Sequence, residues 1–336
     1  MRDNPKYSIL IPVYNVSEYL EDCFNSIVDQ KKIQDYEVII VDDGSTDKSG
    51  AICDAYSKRD SRFKVYHNTN HGQLYSRCFA INKAKGEFVI FLDSDDSLET
   101  NALQKIDDTF SKYDCDCVIY GLKQVCNNKI IYTNTEEKTN YLNDKKEIFK
   151  KYFITDKYNN IWRKAVKRKV LDGRDYNDFY HLKMSEDLLQ SVEIIENAES
   201  IVFLEDILYI YRVNPKSITQ TIDYKKFNAD YSIREYVLNR LKHWNLFDDN
   251  DWEKYRDMCL SSICIEIAGI AGASISRNNK KELFHRIKKT YYYKEFLSKG
   301  EFNSSNIKQK IVWDLFKKGY YEILILLYEI IRRGKK

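Results

Sequence analysis

Over its first 110 positions the chain alternates short apolar runs with segments whose apolar residues recur at helical spacing. Tyr7 to Val13 reads as a strand ending in Pro12-Val13-Tyr14-Asn15. From Ser17 onward, Leu20, Cys23, Phe24 and Ile27 stand at i, i+3, i+4 and i+7, which predicts a helix with one buried face. Tyr36 to Val41 is a second strand, running into Asp42-Asp43-Gly44-Ser45-Thr46-Asp47, and the helix that starts there carries Ile52 and Tyr56 inward. A third strand, Arg62 to His67, and a third helix, Gly72 to Ala84 with Leu74, Cys78 and Ile81, precede a fourth strand, Phe88 to Leu92. Such alternation with short connections implies right-handed crossovers and a mainly parallel sheet flanked by helices. The polar residues that end the first, second and fourth strands then meet at one edge.

Later segments are less regular. Cys117 to Leu122 and Lys129 to Thr133 have strand character, and Asp144 to Phe153 is helical. Ser185 is placed to cap a helix running through Ile195, followed by strands at Ile201 to Leu204 and Ile207 to Tyr211. From about Tyr224 the pattern is wholly helical and rich in Tyr and Lys. The expected division is an α/β domain over residues 1–220, in two halves that meet at about residue 110. A helical region over residues 221–336 follows.

The fourth strand empties into Asp93-Ser94-Asp95-Asp96. That is the carboxyl edge at which open α/β sheets bind ligands. Hard divalent cations take oxygen ligands, commonly one or two carboxylates plus the phosphates of a substrate. The plainer reading is a loop in which Asp96 or Ser97 caps a helix over Leu98 to Phe110. Capping uses one aspartate and leaves the others unexplained.

Charge and composition narrow the classes. With 43% hydrophobic residues in 336, the chain is globular. Met1 to Lys6 is polar and Ile9 to Val13 is too short for a secretory segment, and no stretch approaches the ~20 apolar residues of a membrane span. Eight cysteines include no C-x-x-C pair, which favours free thiols in a reducing, cytoplasmic setting. The histidines show no i, i+4 pairing and, His71 apart, read as structural or surface residues. From Arg277 onward Lys and Arg outnumber Asp and Glu by 16 to 6, so a chain of net charge +3 carries −7 over residues 1–276. The basic end, with the apolar run Ile323 to Leu327, suits a helix lying on an anionic membrane surface, or a final helix packed on the protein with its bases in water. No nucleic-acid-binding motif accompanies it.

Three ordered motifs carry a family resemblance: Ser8 to Asn15, Glu37 to Asp47, and Asp93-Ser94-Asp95-Asp96. Over about residues 6–215 the chain resembles a family 2 glycosyltransferase with the GT-A (Rossmann-like) fold. The resemblance implies inverting transfer from a nucleotide sugar, usually a UDP-sugar, with Mn2+ or Mg2+. By that pattern Pro12, Tyr14 and Asn15 border the nucleotide, Asp42 or Asp43 accepts from the uracil N–H, and Asn70, Gly72, Arg77 and Ser94 line the donor, Arg77 against a phosphate. Ser76, Cys78 and Ala80 depart from the small Ala, the Asn and the Gly usual in that segment. Asp95 would hold the metal through the diphosphate, with Asp93 orienting ribose or metal waters. Glu186-Asp187 matches the family's Glu-Asp pair at a helix start, which makes Asp187 the base. Acids in a first helical turn are also favoured by the macrodipole alone, by ~0.3–1 kcal/mol each. Asp96, Trp162 and Glu186 are assigned to the acceptor side. Arg212, within Tyr211 to Thr219, corresponds to a closing segment whose bases reach the diphosphate.

The expected enzyme therefore adds a hexosyl or N-acetylhexosaminyl group to a glycan acceptor, lipid-linked and part of a capsular or other cell-surface polysaccharide. A protein-linked glycan is the alternative acceptor. A nucleotidyltransferase would carry a Gly-rich basic loop after the first strand, and an NAD-binding oxidoreductase a G-x-G-x-x-G; Pro12-Val13-Tyr14-Asn15 is neither. A non-catalytic nucleotide-sugar-binding module would have lost metal or base carboxylates, and both are present.

Overall fold

The computed structural model describes residues 4–155, 157–171, 176–180, 185–213 and 227–333. Contacts divide the chain into two compact units, Met1–Ile148 with Lys157–Ser217, and Phe149–Asp156 with Ile218–Lys336. The second unit thus takes in a short piece of chain from well before the boundary expected near residue 220.

The first unit is built on strands β1 (Tyr7–Val13), β2 (Tyr36–Asp42), β3 (Phe63–His67) and β4 (Phe88–Phe91), lying in the order β3-β2-β1-β4 and all parallel. Helices α1 (Leu20–Val28), α2 (Ser49–Arg59) and α3 (Gln73–Lys83) make the connections. Both sheet faces are covered, so β1, β2 and β4 are buried at every position. That is why they read as apolar runs and not as alternating strands. Ile9, Ile11, Val38, Ile40 and Ile90 pack with Leu20, Phe24 and Ile27 of α1 in one core.

Past β4 the sheet becomes mixed. Strand β9 (Lys164–Lys167) inserts between β4 and β6 (Cys117–Cys126), antiparallel to both. Its sequence, Lys-Ala-Val-Lys, hides it. Lys164 is buried, with its Nζ on the carbonyls of Tyr158 and Asn160 at 2.5 Å and on Ser191 Oγ at 3.1 Å. Burial lowers that amine to about 7. The segments expected as two strands near residue 205 are one long strand, β10 (Ile201–Arg212), which runs parallel to β6 and bulges between Phe203 and Ile207. Strands β7 (Lys129–Asn134) and β8 (Asn140–Leu142) pair at the margins with β6 and β10.

The predicted helix over Leu98 to Phe110 starts later. Ser97–Leu98 forms β5, antiparallel to Tyr209 and Ile210, and helix α4 runs from Ala102 to Tyr113. Neither Asp96 nor Ser97 is a cap, because the Asp96 carboxyl is taken by β10. Helix α5 (Lys145–Phe153) and helix α6 (Glu186–Asn197) follow the expected segments. Ser185 precedes α6 in a left-handed conformation (φ 62°) without a side-chain capping bond.

The second unit is helical: α7 (Phe227–Trp244), α8 (Asp249–Gly272), α9 (Arg277–Lys289), α10 (Ile307–Lys318) and α11 (Tyr321–Arg333). Asp248 and Asp251 form a reciprocal capping box on α8, and Ser276 and Asn306 cap α9 and α10. Among the described residues no helix is long and apolar enough to cross a membrane. All eight cysteines are free thiols.

One buried carboxylate joins three segments beneath the parallel strands. Glu37 accepts from Ser8 Oγ (2.7 Å), the Lys85 N–H (2.7 Å) and Lys64 Nζ (2.5 Å). Burial disfavours its charge, but these donors prevail and hold its carboxyl below 4.5. A depressed carboxyl stabilises the fold above its unfolded pKa and loses that contribution as pH falls through the folded value. Glu37→Gln is expected to cost about 1–3 kcal/mol at neutral pH and to flatten the acid limb of the stability profile below pH 4.5. Urea unfolding across pH checks it, and parallel profiles for the two proteins would count against it.

Candidate active site

Loops at the carboxyl ends of β1, β2 and β4 come together as the alternation requires, and they are held by their own polar groups. Asn15 sits in the left-handed region (φ 52°), where Asn is tolerated better than most residues. Its N–H donates to Ser45 Oγ at 3.1 Å, and its Oδ1 accepts the Thr46 N–H at 2.8 Å. Tyr14 beside it is exposed, whereas Pro12 is buried. Gly44 has φ 76°, and a Cβ there would meet the Asn70 nitrogen at 3.0 Å. Its close backbone approach is therefore to the Asn68–Asn70 turn of the same chain.

The paired aspartates after β2 are buried and engaged. Asp43 receives the N–H groups of His71 (2.9 Å) and Gly72 (2.8 Å), fixing the turn that leads into α3. Asp42 accepts the Ser45 N–H (3.0 Å) and pairs with His67 Nδ1 (2.8 Å), whose other ring nitrogen lies 3.1 Å from Asp54. Asp42 and Asp54 together raise the His67 pKa. Asn70 is exposed on this turn.

Deeper in the edge, Arg77 of α3 is only 1% exposed. Its guanidinium donates to Asp187 Oδ1 at 2.5 Å and to Asp93 Oδ1 at 2.9 Å. Burial opposes its charge, yet Asp187 and Asp93, with Glu186 adding, more than compensate and raise its pKa. Burial pushes the Asp93 carboxyl up to about 6 against the pull of Arg77, with Asp187 and Asp95 adding repulsion. Gln73, one helical turn before Arg77, donates to Asp93 Oδ1 at 3.2 Å. Three residues far apart in sequence, Arg77, Asp93 and Asp187, thus form one charged cluster, with Glu186 near enough to act on Arg77.

The acid loop itself is a tight turn closed by the Asp96 N–H on the Asp93 carbonyl at 3.1 Å. Tyr209 of β10 fastens it from below: its hydroxyl accepts the Asp93 N–H (3.2 Å) and lies 2.7 Å from Asp96 Oδ2. The other Asp96 oxygen accepts the Arg212 N–H at 2.8 Å. Asp96 is buried, and burial, reinforced by Asp95 and Asp93, holds its carboxyl well above the usual range. Ser94 is buried in the same turn, while Asp95 and Asp93 keep partial exposure.

Two residues assigned to the acceptor side are buried and engaged by β10. Trp162 is 5% exposed and stacks on Tyr209 at 4.4 Å between ring centroids. Asp96 is a loop anchor, for the bonds just described leave its carboxyl facing β10. Arg212 directs its guanidinium to Asp22 (2.8 Å) and over the Tyr19 ring (5.3 Å), both near α1. The rest of the expected closing segment, Asn214 to Thr219, lies outside the described residues, as do Met184 and His181. Sequence reasoning missed Gln73, Tyr209 and His67. Gln73 had a signal, since i, i+4 spacing puts it on the face of α3 that carries Arg77; nothing local marked Tyr209 as the partner of Asp93 and Asp96.

The donor set suits a hard cation. Among the described residues no group of three or more His, Cys, Asp or Glu forms a metal cage. Asp95 and Asp93 are the carboxylates that such an ion could take together with substrate phosphates.

Residues 8–173 match the model of Glycosyl transferase family 2. EpsJ of Bacillus subtilis (strain 168), an uncharacterized glycosyltransferase, is 29% identical over 235 residues, covering 69% of this chain and 68% of EpsJ. The glycosyltransferase GlyG of Streptococcus pneumoniae serotype 4 is 28% identical over 295 residues, covering 86% of this chain and 92% of GlyG. The crystal structure of S. aureus TarS 1-349 in complex with UDP matches at a TM-score of 0.68 and 18% identity, over 98% of this chain and 92% of that one. The fold is shared with TarS.

Removing the Arg77 guanidinium would leave Asp93 and Asp187 without their common counter-charge. Breaking a buried ion pair from one side costs about 3–5 kcal/mol. Arg77→Met is expected to lose stability of that order in urea unfolding, and a variant as stable as the parent would show that the cluster is not held by this charge.

Proposed function

The chain belongs to glycosyltransferase family 2, and from that membership we propose that it transfers a sugar from a UDP-sugar to a glycan acceptor in the assembly of a cell-surface glycan. The observation that carries the reading is the cluster of Arg77, Asp93 and Asp187 at the loop edge, with Asp95 beside it. It brings carboxylates suited to a diphosphate-bound cation within one guanidinium of a carboxylate at a helix start. The UDP donor is supported by TarS, solved with UDP and with UDP-GlcNAc.

In this reading the acceptor hydroxyl attacks the anomeric carbon from the side of Asp187. The oxygen–carbon bond forms as the bond to the UDP oxygen breaks, and Asp187 takes the hydroxyl proton, inverting the configuration. Asp187 is half-buried in the first turn of α6. Arg77 fixes its direction through the bond to its Oδ1. Asp95, with Asp93, would hold Mn2+ or Mg2+, whose Lewis-acid role is to neutralise the departing diphosphate. PcManGT from Pyrobaculum calidifontis, solved with GDP-Man and Mn2+, matches the fold at a TM-score of 0.52 and supports that assignment. Tyr14, exposed at the end of β1, and the turn carrying Asn70 and Gly72 border the nucleotide in the same reading.

A lipid-linked acceptor at the cytoplasmic face of a membrane is the finer proposal. A Campylobacter jejuni relative, 29% identical over 183 residues, is named as a GalNAc(5)-diNAcBac-PP-undecaprenol beta-1,3-glucosyltransferase.

The test is a screen of UDP-sugars for slow hydrolysis with manganese, followed by transfer assays on the donor found. Asp187→Asn is expected to keep UDP affinity while transfer falls by roughly 10²–10⁴-fold, as for loss of a general base. Near-normal turnover in that variant would remove Asp187 from the mechanism, and hydrolysis of no UDP-sugar would count against the donor class.

A further inference from the structure

Helix α11 packs by one face and leaves a second apolar face in water. Tyr321, Leu324 and Ile325 are buried, where α11 meets α8, α9 and α10. On the other side Ile323, Leu326, Leu327, Ile330 and Ile331 are each between 41% and 58% exposed, and Tyr320 at the helix entry is exposed as well. Steps of three and four residues gather the five aliphatic side chains into one stripe, roughly 140° wide at ~100° per residue. The alternatives read from sequence, a packed helix or an interfacial one, concern different faces of the same helix.

The charges around the stripe have one sign. The two acids of α11 are neutralised from α9: Arg277 reaches Glu329 at 2.6 Å and Glu322 at 3.6 Å, and Lys281 reaches Glu322 at 2.5 Å. Exposed Lys317 and Lys318 precede the stripe, and Arg332 and Arg333 follow it in sequence. A second copy of this chain would be a poor occupant. Pairing two such helices brings bases against bases in either direction, and like charges at close range repel. An anionic lipid surface supplies the opposite sign and accepts aliphatic side chains to the depth of one helix face.

We propose that the exposed stripe of α11 is a membrane-docking face, lying in the plane of an anionic headgroup layer. At 13 residues the helix reaches about 20 Å, short of the ~30 Å hydrocarbon core, so it lies on the bilayer and does not cross it. The assignment stands on this face alone, independent of donor and acceptor.

The full chain is mixed with sucrose-loaded vesicles of phosphatidylcholine containing about 30% phosphatidylglycerol, and with vesicles of phosphatidylcholine alone. Pelleting with the anionic vesicles is expected to exceed that with the neutral ones by roughly 10-fold or more, and to weaken at high salt. The triple variant Ile323→Ser, Leu327→Ser, Ile330→Ser alters exposed side chains, so its thermal melt is expected to match the parent. Its partition should fall by roughly 10–100-fold. The proposal is overturned if the parent stays in the supernatant with anionic vesicles, or if the triple variant pellets equally well. It is also overturned if sedimentation equilibrium finds a parent dimer that the triple variant dissolves, which would make a second copy the occupant.

Discussion

A guanidinium buried to 1% exposure is the constraint around which this site is arranged. Taking Arg77 out of water costs several kcal/mol unless its charge is matched and its donors are used. It is matched twice, by Asp93 from the loop after β4 and by Asp187 from the first turn of α6. Neither carboxylate is free to wander without exposing that cost. The same bond therefore fixes the helix that carries the proposed base and the loop that carries the proposed metal ligands. Gln73 and Tyr209 extend the constraint, the first from the same face of α3 and the second from beneath the loop.

At the ends of β1 and β2, rigidity comes from many small hydrogen bonds. Asn15 ties the end of β1 to Ser45 and Thr46, Asp42 binds back to Ser45, and Asp43 holds the amides of His71 and Gly72. The loops hold one another before any ligand arrives, so less ordering remains to be done on binding. Tyr14 stays exposed amid these anchored residues.

The parallel half of the fold was legible because its strands are buried on both faces and its helices are not; the contrast of period is plain from Tyr7 to Phe91. The three acidic or polar strand ends were legible for the same reason, since topology alone sends them to one edge. What sequence reasoning misplaced depends on long-range pairing. Lys164 conceals β9 because its amine is satisfied by Tyr158, Asn160 and Ser191, none of which announces itself as a partner. Asp96 read as a helix cap or an acceptor-side residue, and Trp162 as an acceptor-side residue, because Tyr209 lies more than a hundred residues beyond Asp96. That tyrosine stacks on Trp162 and bonds Asp96, turning both inward.

The central claim is that the carboxylates held about Arg77 receive a cation bound to the diphosphate of a UDP-sugar. Diffraction from crystals of the full chain grown with UDP and manganese, recorded at the manganese edge, tests it most directly. The account predicts an anomalous peak about 2.0–2.3 Å from an Asp95 carboxylate oxygen, bridged to UDP. A peak elsewhere on the chain, or UDP bound at this edge with no manganese beside Asp95, would contradict it.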